Sequence, residues 1–300
     1  MRALEPDRLP PNVRLGTSSF SSPDWSGAFY PAQLPSRQFL EYYAQRYDTV
    51  EIDATWHALP TRRIFESWAA RVPEGFTFAL KAPKSITHER YLEGCEEEWR
   101  AFLDLTEALG PRRGPILLQF SYVSRRRDPR EARAGENFRR RLERFLPLIP
   151  PEGRFAIEVR NRGWISEELL ALLRSRGIGL VWADYYTMPR GPSLLAARDL
   201  VLCDFAYVRF LGNHRLMDAR VAEARQSGDR ASDWCSLLVD RTRETREWVI
   251  TLQSLLPRVR EMFVYFNNHY AGFAPGSLEL FARLWKEEAP RLDRAPSLRA

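Results

Sequence analysis

Short stretches in which apolar residues take every second position recur along the chain, and most are followed by a stretch whose apolar residues fall three and four apart. The alternating runs predict strands at Val13–Ser18, Thr49–Asp53, Phe76–Lys81, Ile116–Phe120, Phe155–Arg160, Leu180–Asp184, Ala206–Phe210 and Met262–Asn267. The helical pattern predicts helices from about Pro35 to Tyr47, Thr61 to Arg71, Glu96 to Leu109, Glu136 to Leu148, Ser166 to Arg176, Ser232 to Leu255 and Pro275 to Glu287. Ser166 reads as an N-cap, with Glu167 and Glu168 in the first turn and Gly177 just past the end. Only between the sixth and seventh strands is the connection irregular instead of helical.

Eight strands alternating with helices over this length are the signature of an α/β fold, a single (β/α)8 TIM barrel. A doubly wound open sheet is the alternative, but it usually carries a Gly-rich phosphate turn after an early strand, and no GxGxxG occurs here. The expected organisation is a loose lead-in over residues 1–12, one barrel domain over 13–290 and a frayed tail over 291–300.

In such a barrel the strands are covered on both faces, so every second residue points into a closed interior, where a carboxylate is costly unless paired or used. With the parity of Glu51, the inward residues are Thr77, Ala79 and Lys81; Leu117 and Gln119; Ala156, Glu158 and Arg160; Trp182 and Asp184; Tyr207 and Arg209; Tyr265 and Asn267. The polar member falls at the C-terminal end of strand after strand, the end where active sites lie on this fold. Glu51, Glu158, Lys81, Asp184 and His88 are therefore the candidate catalytic residues. Arg160, Arg209, Gln119, Asn267, Asn268, Tyr30 and Trp164 are the candidate substrate-binding residues. Either glutamate is a candidate acid or base, and the cations suit an anionic group, Arg as a fork and Lys as a point charge.

Charge changes the picture modestly. The net charge of +6 comes almost wholly from arginine, since Lys81, Lys84 and Lys286 are the only lysines. It favours an anionic partner, with nucleic acid as a second class, and Arg125-Arg126-Arg127 lies on the loop after the fourth strand. Cys95, Cys203 and Cys235 fit neither a disulfide framework nor a zinc pattern. His57, His88, His214 and His269 follow strands two, three, seven and eight. They keep a divalent metal conceivable, although no HExxH or paired-ligand spacing supports one, and the cofactor is left unknown. No apolar run is long enough to span a membrane and no secretory signal is visible, so the expected location is cytoplasmic. The sequence leaves the oligomeric state open.

An ordered set of motifs resembles the YecE-like family over almost the whole chain. It comprises Gly16-Thr17-Ser18, Phe29-Tyr30-Pro31, Tyr47-Asp48-Thr49-Val50-Glu51-Ile52, Phe76 through Pro83, Thr87-His88, Leu117-Leu118-Gln119-Phe120, Glu158-Val159-Arg160, Gly163-Trp164, Tyr207-Val208-Arg209 and Tyr265-Phe266-Asn267-Asn268. The resemblance implies a TIM barrel with a site at Glu51, Lys81, His88, Gln119, Glu158, Arg160, Arg209 and Asn267, but no reaction, because the family's activity is not established. The chain departs from the family pattern with Ser19-Phe20, Asp53, Trp56-His57, Arg160-Asn161 and Phe210-Leu211-Gly212, which cost it two family histidines.

Three functions follow as expectations. The first is an enzyme, hydrolase- or lyase-like, acting on an anionic, phosphorylated or nucleotide-like substrate. Within it, Glu51 and Glu158 could form a glycosidase pair, or Lys81 a Schiff base. The second is a nucleic-acid-binding or processing protein, and the third a non-catalytic ligand-binding barrel.

Overall fold

The computed structural model describes residues 9–123, 134–226 and 234–292. Its strands are β1 (Val13–Thr17), β2 (Thr49–Ile52), β3 (Thr77–Lys81), β4 (Arg113–Gln119), β5 (Phe155–Glu158), β6 (Gly179–Leu180), β7 (Trp182–Tyr185), β8 (Phe205–Gly212) and β9 (Glu261–Phe266). All pair in parallel, in the orders β1-β9-β8-β7 and β2-β3-β4-β5-β6. Val181 alone separates β6 from β7, so these are two halves of one stave, and the break hands the chain from one sheet to the other. The barrel thus has eight staves, with helices packed outside, as the alternation predicts.

The sheets meet again between β1 and β2, where no backbone ladder forms. Gly16 lies so close to Thr49 that a Cβ would sit 2.1 Å from the Thr49 carbonyl oxygen, which only glycine permits. The Tyr43 hydroxyl bridges this seam: it accepts from the Thr17 amide at 2.8 Å and donates to the Thr49 carbonyl at 3.2 Å.

Most of the interior follows the expected alternation. Ala79, Leu117, Ala156, Tyr207 and Tyr265 pack inside the barrel, while Phe78, Leu80, Leu118, Ile157, Val208, Val264 and Phe266 join the outer core beneath the helices. The sixth stave is the exception. Val181 and Ala183 line the interior, and Trp182 and Asp184 face the helical layer, opposite to expectation. Both alternating sets on this stave are largely apolar, so side-chain size decides. Ala183 sits in register with Arg209, where the interior is full, and the Trp182 indole turns outward and donates to the Leu200 carbonyl.

The helical layer differs in three places. The irregular connection contains a short helix, Gly191–Ala197. A helix at His214–Gln226 follows β8, which the pattern missed because it buries little beyond Met217 and Val221. The long helix begins at Thr242, not near Ser232. Leu238 and Val239 donate backbone hydrogen bonds to the Ala271 carbonyl, and Asp240 accepts from the Thr242 amide, so this stretch is strapped to the neighbouring loop before the helix starts. Among the described residues no helix is long and apolar enough to cross a membrane.

Candidate active site at the barrel mouth

At the C-terminal end of the strands the interior changes from apolar to ionic. Arg209 of β8 is buried at the centre. Its Nη2 donates to Glu51 Oε1 at 2.6 Å and its Nη1 to Glu158 Oε2. Glu51 Oε2 accepts from the Tyr207 hydroxyl at 2.6 Å, and Glu158 Oε1 accepts from Arg160 Nε at 2.9 Å. Both carboxylates have no exposed surface. They do not face each other across an open mouth; they share one guanidinium beneath it. A layer of hydroxyls lies below, with Thr77 donating to Thr49 and Thr49 bonded to Tyr265.

Burial alone would raise both carboxyls, and the cations decide each outcome. At Glu158, Arg209 and then Arg160 outweigh burial and hold the carboxyl at about 2. Glu158 is therefore held as the carboxylate at neutral pH. At Glu51, burial prevails over Arg209, with help from nearby Asp53, and the carboxyl lies above its ordinary value.

Above this clasp lies the surface that a ligand would meet. Lys81, at the end of β3, places Nζ 3.7 Å from Asp53 Oδ1 and 4.7 Å from the centre of the Trp56 ring. Arg209 Nη2 lies 3.8 Å from the same Asp53 oxygen. Burial, only partly offset by Asp53, lowers the Lys81 ammonium below its usual range. Arg160 lies over the Tyr185 ring at 4.3 Å. His88, in the turn Ser85–Glu89, meets the Thr87 hydroxyl at 2.8 Å and the Trp56 indole N–H at 3.3 Å. Burial, then Lys81 and Arg160, pull it down to about 4, so it is neutral. His214 stacks on His269 with ring centres 4.1 Å apart, and burial, then His269 and Arg160, bring it to about 4 as well. Gly212 turns the chain into this corner with φ +65°, and a Cβ there would lie 2.3 Å from the His269 carbonyl oxygen.

Seven buried side-chain polar atoms have no hydrogen-bond partner among the described residues. Five belong to residues in the C-terminal half of a strand or just past it: Ser18 Oγ, Asp53 Oδ1, Gln119 Nε2, Arg209 Nε and His214 Nε2. Buried polar atoms in a folded protein are normally paired, so their concentration toward one end of the barrel is unusual. Among the described residues, no three His, Cys, Asp or Glu side chains are grouped to hold a metal ion.

The structure thus brings together Glu51, Lys81, His88, Gln119, Glu158, Arg160 and Arg209. Asn267 is nearby but engaged: its carbonyl oxygen accepts from the His269 backbone and meets the His269 ring at 2.7 Å. Four expected site residues stand elsewhere. Asp184 faces the helices and accepts from the Trp248 indole at 2.7 Å. Asn268 accepts from Trp25 and from the Ala274 amide, which closes a turn. Tyr30 is buried under the first loop, stacked on Phe39 at 3.8 Å. Trp164 stacks on Phe138 and lines a groove of about 820 Å³ with Tyr122, Asn161 and Thr187, beside the cluster. Arg125, Arg126 and Arg127 lie outside the described residues. Arg139 and Arg141 pair with Glu143 and Glu93 on a solvated helix face. Sequence reasoning undervalued Asp53, Trp56, Tyr185 and His214. Their available signal was position alone, from the last residue of the expected strand (Asp53) to four residues past it (His214).

The sequence profile of the family described as "Protein of unknown function DUF72" matches residues 14–299. The UPF0759 protein YunF of Bacillus subtilis is 26% identical over 305 residues, 90% of this chain and 100% of that protein. The UPF0759 protein YecE of Escherichia coli is 28% identical over 177 residues, 57% of this chain and 59% of its own. The crystal structure of a DUF72 family protein from Thermotoga maritima superposes with a TM-score of 0.69 at 29% identity, covering 91% of this chain and 99% of that one. A D-tagatose 3-epimerase-like protein superposes with a TM-score of 0.59 at 10% identity over 93% of this chain and 99% of its own, a likeness of fold alone.

Proposed function

Because this chain belongs to the DUF72 family of proteins of unknown function, which has the TIM-barrel-like fold, we propose that it is an enzyme of the hydrolase or lyase type whose small anionic substrate binds at the C-terminal mouth of the barrel. The observation that carries this reading is the concentration of five buried polar atoms without a hydrogen-bond partner toward that end. Lys81 and Arg160 would hold the anion, since both face the mouth with side chains only 11% and 15% exposed. Partial burial makes such contacts stronger than in bulk water. Asp53 and the neutral His88 stand beside them as proton carriers. Glu51, Glu158 and Arg209 form the floor: their charges are spent on each other, and they fix where Arg160 and Asp53 sit.

Thermal unfolding of the wild type beside Arg160→Ala, in the presence of phosphorylated metabolites, nucleotides and sugar acids, tests this. A ligand at a hundred times its dissociation constant adds about 2.7 kcal/mol of stability. The expected result is an anion that raises the melting temperature of the wild type and not of the variant, followed by turnover of that compound. Equal stabilisation of both proteins, or none by any anion, would overturn the assignment.

A further inference from the structure

Lysine is scarce in this chain, three residues among 45 lysines and arginines. Lys84 forms a half-exposed pair with Glu89, as a surface lysine does. Lys81 is different: it is buried at a strand end, in a cluster whose other cations are arginines. An arginine would supply charge there just as well, but a guanidinium cannot give up its proton, whereas an amine can. Nζ makes no hydrogen bond within the described residues. Its counterion, Asp53 Oδ1, stands 3.7 Å away, beyond bonding distance, and is shared with Arg209 at 3.8 Å. The face of the Trp56 ring offers the ammonium a cation–π contact and Asp53 a loose ion pair, but burial, together with the Arg209 guanidinium, outweighs both and lowers it below its ordinary range. That environment disfavours the charged form and leaves the amine lone pair free to attack.

Resting on the anion site proposed above, we propose that Lys81 is a covalent catalyst that forms an iminium with the carbonyl carbon of a small anionic oxo compound. As substrate binding closes the 3.7 Å gap to hydrogen-bond distance, the Lys81 ammonium passes a proton to Asp53, and Nζ attacks the carbonyl carbon. The carbonyl π bond opens, and the proton left on nitrogen moves to oxygen to give a carbinolamine. Asp53 returns its proton to that hydroxyl, which leaves as water while the nitrogen lone pair closes the C=N bond. Charge and atoms balance: ammonium, carboxylate and carbonyl become iminium, carboxylate and water. Arg160 would hold the substrate's anionic group. The iminium would then act as the electron sink for breaking a bond at the neighbouring carbon, which is lyase chemistry.

Borohydride trapping tests it, with pyruvate, glyoxylate and glyceraldehyde 3-phosphate as probes, read by intact mass and peptide mapping. The expected result is one reduced adduct per chain on Lys81, none in Lys81→Arg, none on Lys84 or Lys286, and about tenfold less in Arg160→Ala, the loss of one charge-assisted contact. No adduct with any probe, or adducts spread evenly over the three lysines, would overturn the proposal. If a probe raises the melting temperature in an Arg160-dependent way without being trapped, the iminium falls and the anion site stands. If the probes neither bind nor become trapped, the iminium falls and the anion-site reading then rests on the other anions of the thermal panel.

Discussion

Replacing Arg209 with methionine keeps the unbranched stem of the side chain and removes the guanidinium, so Glu51 and Glu158 lose the cation they share. The cost can be worked two ways. Glu158 falls from 4.5 in a free glutamate to about 2 in the folded chain, although burial opposes this, and Arg209 is the larger of the two cations responsible. At about 1.4 kcal/mol per pH unit, that depression amounts to roughly 3 kcal/mol, of which Arg209 supplies the greater part. Glu51 adds to it, retaining only the Tyr207 hydroxyl as a partner. Independently, removing one member of a buried ion pair costs about 3–5 kcal/mol, because a charge is stranded without water. Both routes give a loss of about 3–5 kcal/mol at pH 7, a fall in melting temperature on the order of 10 °C for a chain of this size. Urea titration of the wild type and Arg209→Met, at pH 7 and at pH 5, is the assay. Glu51 already lies above its ordinary value and will rise further without Arg209. A carboxyl raised in the folded state favours folding at low pH and loses that contribution as pH climbs through its folded value. The variant's deficit should therefore shrink at pH 5. A loss under about 1 kcal/mol at pH 7, or a deficit that grows on acidification, would refute the clasp.

Three further outcomes follow from the same geometry. The wild type should lose up to about 3 kcal/mol between pH 4.5 and pH 2 as Glu158, depressed in the folded state, takes up its proton; Glu158→Gln should flatten that limb of the acid titration. Tyr43→Phe removes the bridge across the β1–β2 seam and strands the buried Thr17 amide, so it should cost about 1–3 kcal/mol in denaturant titration, while a cost near zero would mean the seam is held otherwise. Asp184→Ala leaves the Trp248 indole N–H unpaired and should likewise destabilise by about 1–3 kcal/mol, yet leave ligand binding unchanged, whereas loss of binding at wild-type stability would return Asp184 to the site.

Much of the site is legible in the sequence, because a strand's side chains alternate with a period of two and a closed barrel turns that period into inside and outside. Glu51, Lys81, Gln119, Glu158 and Arg209 all follow from this. Alternation decides nothing where both sets of a stave are apolar: on the sixth, hydrophobicity could not say which side was inside, and the room available beside Arg209 chose alanine over tryptophan. Tyr30, Asn268 and Trp164 are polar or aromatic residues in the stretches that follow strand ends, which made them candidates. Their partners, Phe39, Trp25 and Phe138, lie in loops and helices whose packing no local pattern encodes.

The sequence by itself determined the eight-stave barrel, the mouth as the polar end and most of the charged groups there, since these depend on local periodicity and on the cost of burying charge. The division of labour among those charges was decided only by the tertiary structure. Arg209 reaches both glutamates and draws them into the floor, which leaves Lys81, Asp53, Arg160 and His88 at the surface of the site. Which carboxylate a guanidinium neutralises depends on distances of a few ångströms between strands far apart in the chain, and Coulomb energy at that range outweighs anything the local pattern records.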